Sequence, residues 1–217
     1  MPVPGLEFQI TGAGVLPHAA VPGLQFSLQI QNQPAEEQIQ AIMLRVQIRI
    51  EAPRRGYSES EKARLLELFG EPERWGETVK SLLWSNVTMS VPSFRGECCV
   101  ELPVPCTYDF EVMGAKYLDA VESGEIPLLF LFSGTTLYAN KTGDLQISQI
   151  PWEKEATYRM PVTVWRAMID HYFPNSAWLR LNRDVFDRLC AYKGHNTLLT
   201  WEETFNRLLE QADEKEQ

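Results

Sequence analysis

The sequence is poor in the features that announce a chemistry. It contains no G-x-S-x-G, no G-x-x-x-x-G-K-[ST], no H-E-x-x-H and no dinucleotide fingerprint, so the signatures of common hydrolase, phosphate-loop, metalloprotease and dinucleotide sites are missing. Histidines number three and cysteines four, and the cysteines do not form the C-x₂₋₄-C pairs that zinc and iron–sulfur sites use. The expectation is no metal, no cofactor and no catalytic residue. Long apolar runs are absent too: the longest, Ile126 to Phe132, falls far short of the roughly 20 residues that cross a bilayer. The opening residues, MPVPGLEFQITGAG, lack a basic segment leading into an apolar one, which points to a cytoplasmic protein without membrane insertion. Positive charge is scarce, with 20 Lys plus Arg against 29 Asp plus Glu and a formal net charge of −9. A field of that sign repels phosphate backbones, and nucleic acid is excluded as an expected partner.

What remains is the composition of an ordinary globular protein, 44% hydrophobic and 23% charged over 217 residues, long enough for one full core. One compact unit, 1–217, is expected, mainly β over 1–158 with a helical subregion packed on it over 159–217. Leu24, Phe26, Leu28 and Ile30 alternate with Gln25, Ser27, Gln29 and Gln31, and Ile42, Leu44, Val46, Ile48 and Ile50 alternate with Arg45, Gln47, Arg49 and Glu51. Such alternation predicts antiparallel strands with one buried and one wet face. The unbroken run Leu128 to Phe132 reads as a strand covered on both sides. The period changes over about 58–84. Ser58 and Glu61 make a capping box, Leu65, Leu66 and Phe69 a helical stripe, and Gly70 a stop. Pro72 opens a second helix along Trp75, Val79, Leu82 and Leu83. Helices return after Pro161, with stripes Trp165/Met168/Ile169/Tyr172 and Val185/Phe186/Leu189/Cys190, and a last one capped by Thr200 and Glu203. Residues 212–217 are expected to fray. With six to eight strands, the fold class is α+β, an antiparallel β-sandwich with a helical insertion and C-terminal helices.

Cys98, Cys99 and Cys106 lie within nine positions. Taking alternate residues places Cys98, Val100, Leu102, Val104, Cys106, Tyr108, Phe110 and Val112 on one face and Cys99, Glu101, Asp109, Glu111 and Met113 on the other. An extended strand separates Cys98 from Cys106 by roughly 27 Å at about 3.4 Å per residue, so these thiols cannot share an ion and read as small hydrophobes of the core. Arg54 and Arg55, beside Tyr57 and ahead of a capped helix, are a candidate partner or anion contact. Trp152 is a second candidate partner contact, because tryptophan is enriched at interface hot spots. A different reading places a small-molecule pocket between the sandwich and the C-terminal helices, lined by Tyr108, Trp165 and His171. His195, just past Gly194, is accounted for by its place at a helix C-terminus.

The segments LFGEPERWGETVKSLLW, PVPCTYDFEV, GEIPLLFLFSGTTLY and IPWEKEATYRMPVTVWRAMIDHYFPNSAWLRL resemble an uncharacterised bacterial domain family of unknown function, over nearly the whole length. The resemblance implies an association with gene clusters for uptake [NiFe] hydrogenases, and hence an accessory or assembly role with a hydrogenase component as protein partner. It carries over no catalytic residue. The function expected from the whole is a non-catalytic protein-interaction module, the alternative being an enzyme or small-molecule-binding protein using the pocket above.

Overall fold

The computed structural model describes residues 5–106, 112–140, 142–174 and 181–216. The chain divides into two compact units, Met1–Pro174 and Asn175–Gln217. The helical region drawn from residue 159 is split by that boundary.

The first unit is an antiparallel sandwich with helical additions. β1 (Gly5–Val15), β2 (Gly23–Gln33) and β6 (Glu97–Pro105) form a three-stranded sheet in the order β1-β2-β6. The second sheet runs β4-β3-β7-β8, from β4 (Leu82–Val91), β3 (Gln38–Ile50), β7 (Glu125–Ala139) and β8 (Leu145–Gln149). Short β5 (Phe94–Arg95) joins it on β3, and β9 (Glu155–Pro161) joins it on β7. The alternation of β2 and β3 is realised as expected: Leu24, Phe26, Leu28, Ile30, Ile42, Leu44, Val46, Ile48 and Ile50 are fully buried.

Aromatic side chains bridge the two sheets. Phe8 of β1 stacks on Phe132 of β7 with centroids 4.3 Å apart. Phe26 of β2 meets Phe130, Trp84 and Tyr158 of the facing sheet edge-on, at 5.1, 6.1 and 6.1 Å. Edge-to-face contacts of this kind add to the area each ring buries. The Trp84 indole N–H is buried without a hydrogen-bond partner among the described residues. Trp75, by contrast, donates its indole N–H to Gly70 O at 2.8 Å.

Three further readings are corrected. The run Leu128 to Phe132 is not covered equally on both sides, because Leu128, Phe130 and Phe132 are buried while Leu129 and Leu131 are half-exposed. The helical insertion is shorter than 58–84. α1 (Glu59–Phe69) forms with the full Ser58/Glu61 capping box, but α2 is only Trp75–Thr78. Leu82 and Trp84 turn inward on β4, opposite Ile50 and near Ile48 of β3. Pairing with a buried strand outweighs a helix already weakened by Gly76. Conversely, β6 ends at Pro105, the continuation over 107–111 lies outside the described residues, and Val112 and Met113 open α3 (Val112–Ala120). Gly114, Tyr117, Leu118 and Val121 are buried from that segment, an i, i+3, i+4, i+7 stripe. α4 (Val162–Tyr172) follows directly on Pro161 and buries Val162, Trp165 and Met168. Tyr172 Oη donates to Leu16 O at 2.8 Å, tying α4 to the end of β1.

The second unit is a helical hairpin of α5 (Arg183–His195) and α6 (Trp201–Glu216). The tail expected to fray is helical through Glu216. Thr200 Oγ1 accepts from Glu203 N at 3.1 Å, and Glu203 Oε2 accepts from Leu199 N at 2.8 Å, which fixes the start of α6. Lys193 Nζ donates to Leu198 O and Leu199 O at 3.0 and 2.8 Å, closing the end of α5. No described helix is long and apolar enough to cross a membrane.

Candidate functional site

Arg54 and Arg55 lie on the rim of an open basin of about 760 Å³ with Tyr57, Ser58, Glu61, Ser123, Glu125 and Arg159. The two arginines play different parts there. Arg54 is largely exposed and reaches Glu51 at 3.5 Å. Arg55 is 9% exposed at its side chain and pairs with Glu61, itself 4% exposed, at 2.9 Å. The same Arg55 Nη2 donates to Ser123 O, and the guanidinium lies 5.4 Å from the Tyr57 ring centroid. Glu61 is saturated: Oε2 accepts from Ser58 N at 3.0 Å, and Oε1 accepts from Glu122 N at 2.8 Å as well as from Arg55. Burial would raise its pKa, but the Ser58 and Glu122 N–H groups and Arg55 outweigh burial and hold it below the ordinary value of 4.5. One carboxylate thus caps α1, clamps the end of α3 and neutralises a buried arginine. Arg55 is thereby largely committed to the fold, and Arg54 with Arg159 supplies the exposed positive charge. Arg159 reaches Glu125 at 3.9 Å.

Below the basin, Tyr57 Oη donates to Ala52 O at 2.7 Å and lies 2.8 Å from Tyr117 Oη. With its proton used on Ala52, Tyr57 must accept from Tyr117. Burial raises both phenols, most strongly Tyr57, with Tyr117 adding to that shift. Both therefore stay protonated near neutral pH and fasten the turn after β3 to α3.

Trp152, Trp165 and His171 belong to the first unit and His195 to the second. Trp152 stands in the turn between β8 and β9, 88% exposed. Trp165 is buried and donates its indole N–H to Asp119 Oδ1 at 2.8 Å. His171, on the exposed side of the same helix, meets Tyr172 edge-on at 4.8 Å. Tyr108 lies outside the described residues. His195 Nδ1 is 2.8 Å from Ala191 O at the end of α5. Among the described residues, no group of three or more His, Cys, Asp or Glu side chains is placed to hold a metal ion.

Cys98, Cys99 and Cys190 are free thiols. Cys106 is buried, Cys98 half-buried and Cys99 exposed, in keeping with β6 pairing Cys98 to Ile30 and Cys99 to Gln29. Burial, with a smaller contribution from Cys99, pushes the Cys98 thiol up to about 11. Native alkylation followed by mass spectrometry should therefore label Cys99 and Cys190 first and Cys106 last. Labelling of Cys106 as fast as Cys99 would contradict the packing of β6.

The hairpin unit carries an apolar concavity, and the sequence stripes pointed to its walls without showing that it stays open. Leu181, Arg183, Phe186, Trp201 and Phe205 line a groove of about 330 Å³. Trp201 lies 5.5 Å from Phe186 and 6.1 Å from Phe205, with Lys193 Nζ 5.9 Å from its ring. No apolar side chain described in this unit is fully buried, and Phe186, Leu199 and Leu209 are 39%, 83% and 63% exposed.

Comparison with solved structures gives faint likenesses. A candidate ApaA protein from Bordetella pertussis is 14% identical, with 73% of this chain and 95% of that one covered at a TM-score of 0.25. β-Glucosidase 3B from Thermotoga neapolitana, in complex with α-D-glucose, is 10% identical at 0.25, over 72% of this chain and 17% of the enzyme. A β-glucosidase from Kluyveromyces marxianus is 12% identical at 0.23, over 72% and 15%. The chain spans less than a fifth of either glucosidase, and scores this low carry no argument about its activity. No curated protein matches it. A family model described as a family of unknown function (DUF6084) matches residues 3–217.

Proposed function

The chain belongs to that family of unknown function, and from this premise we propose that it is a non-catalytic accessory module that binds another protein through the groove of its helical hairpin. One observation carries the reading: the hairpin buries no described apolar side chain completely, yet gathers Phe186, Trp201 and Phe205 around one groove. Aromatic residues clustered in a pocket are the usual anchors of protein interfaces. An amphipathic segment laid into a helical groove is the recognition mode these dimensions suit. Trp152, on the first unit, is proposed as a second contact, with Arg54 offering charge at the basin rim. The resemblance to a family linked with [NiFe] hydrogenases supplies the class of partner, a hydrogenase component or maturation factor met in the cytoplasm.

The test is affinity capture with the tagged full-length chain from a host that expresses a [NiFe] hydrogenase. Trp201→Ala should reduce recovery of the partner by about 30-fold, as loss of a hot spot worth about 2 kcal/mol implies, while circular dichroism stays that of the parent. Undiminished recovery by the variant would remove the groove from the reading. Capture without any hydrogenase component would remove the partner class.

A further inference from the structure

β8 ends its sheet, hydrogen-bonded to β7 alone among the described strands. Its ladder shows which backbone groups are left over. Ile150 N donates to Gly134 O at 2.9 Å, and Asn140 N donates to Asp144 O at 3.0 Å. In an antiparallel pair, bonded positions alternate with unbonded ones, so Ser148 and Gln146 bond inward to β7 while Leu145, Ile147 and Gln149 present their N–H and C=O groups to the open edge. The same three residues carry exposed side chains. Leu145 is 59% exposed and Ile147 67%. Register places Ile147 beside Leu137 of β7 and Leu137 beside Ala41 of β3, with Met43, 51% exposed, one row along. An apolar row on the outer face of the sheet therefore runs out to an unpaired edge.

Natural edge strands are commonly guarded by charge, by proline or by a bulge. LQISQ has none of these, and no charge occurs between Asp144 and Glu153. We infer that β8 pairs antiparallel with β8 of a second copy of this chain, about a two-fold axis at Ile147, joining the two sheets into one. The strand is self-complementary in that register. Ile147 meets its own symmetry mate as a mutually bonded pair, Leu145 faces Gln149 on either side, and the row Ala41–Leu137–Ile147 continues into its copy. Electrostatics permit the approach despite a net charge of −9 on each chain. Asp144 falls opposite Ile150 of the second copy, and the two Asp144 side chains are held about 20 Å apart at about 3.4 Å per residue, beyond the screening length of about 8 Å. A five-residue strand offers less surface than the roughly 800 Å² per partner of a standard stable interface. The association is thus a concentration-dependent equilibrium and not an obligate dimer.

Sedimentation of the full chain across a range of micromolar concentrations should show monomer passing to dimer, and Ile147→Lys should hold it monomeric throughout. In a Cys99→Ser/Cys190→Ser background, Ile147→Cys should form a disulfide-linked dimer on mild oxidation, since a bonded antiparallel pair sets Cα atoms about 5.5 Å apart, within disulfide reach. Gln146→Cys, on the opposite face, should not. A chain that stays monomeric at every concentration overturns the inference. So does a dimer untouched by Ile147→Lys, and one dissolved instead by Trp201→Ala would place the contact on the hairpin. Because the β8 edge and the hairpin groove share no residue, failure of one proposal leaves the other standing.

Discussion

Alanine at position 134 is expected to cost the first unit about 2–6 kcal/mol. Gly134 sits in β7 at φ +138°, opposite Leu44, a conformation that costs an L-residue about 1–3 kcal/mol. A Cβ there would also lie 2.1 Å from the Met43 carbonyl oxygen and 3.1 Å from its carbonyl carbon. Both are backbone atoms of the neighbouring strand and cannot rotate away, so β3 and β7 must separate locally at a further cost of about 1–3 kcal/mol. The sum is a large part of the 5–15 kcal/mol that holds a typical domain together. Urea unfolding followed through the buried Trp84 would read it. A midpoint equal to the parent's would mean that β7 does not approach β3 this closely.

Glu61→Ala should do comparable damage by a different route. Removing one partner of a buried pair leaves the other charge uncompensated, at about 3–5 kcal/mol, and here it also strips the α1 cap and the anchor of Glu122 N. Replacing both members, Arg55→Met with Glu61→Leu, should recover much of the loss, because no naked charge then remains. Double-mutant additivity would argue that the pair is not coupled. The carboxylate gives a pH signature as well. Its folded pKa lies below the unfolded value near 4.5, so its stabilisation is complete above that pH and disappears as pH falls through the folded value. The gap in stability between parent and Glu61→Gln should accordingly be widest near neutrality and narrow in acid. A constant gap down to pH 2 would separate the effect from ionisation.

How far these features could be read from sequence depends on the range of the forces involved. Alternation in β2 and β3 is local and was legible, as were both capping boxes, whose partners stand three residues apart. The fate of Leu82 and Leu83 was not, because helix and strand periods both accommodate them, and the decision rests with β3, more than thirty residues away. α3 was hidden for the opposite reason. A valid strand period through Cys106 invites continuation, although Gly114, Tyr117, Leu118 and Val121 already carry the helical spacing. At the candidate sites, Ser58 and Glu61 were visible as a cap, but the bond from Glu61 to Glu122 N joins segments distant in sequence. Arg55 looked like a free loop cation until its neighbours enclosed it. Trp201 and Phe205 were readable as a helical stripe, whereas their remaining partly open required the geometry of the hairpin.

β7 serves as the seam of its sheet. It takes β3 along one side over nearly its whole length, with Ile50 opposite Leu128 and Ile39 opposite Tyr138, and divides its other side between β9 and β8. β3, made early in synthesis, must therefore wait for this late strand before its second edge is matched, and such distant pairing slows folding. On the ribosome, the greasy inner faces of β2 and β3 would be laid bare until β7 emerges, the interval in which the nascent chain is most exposed to aggregation.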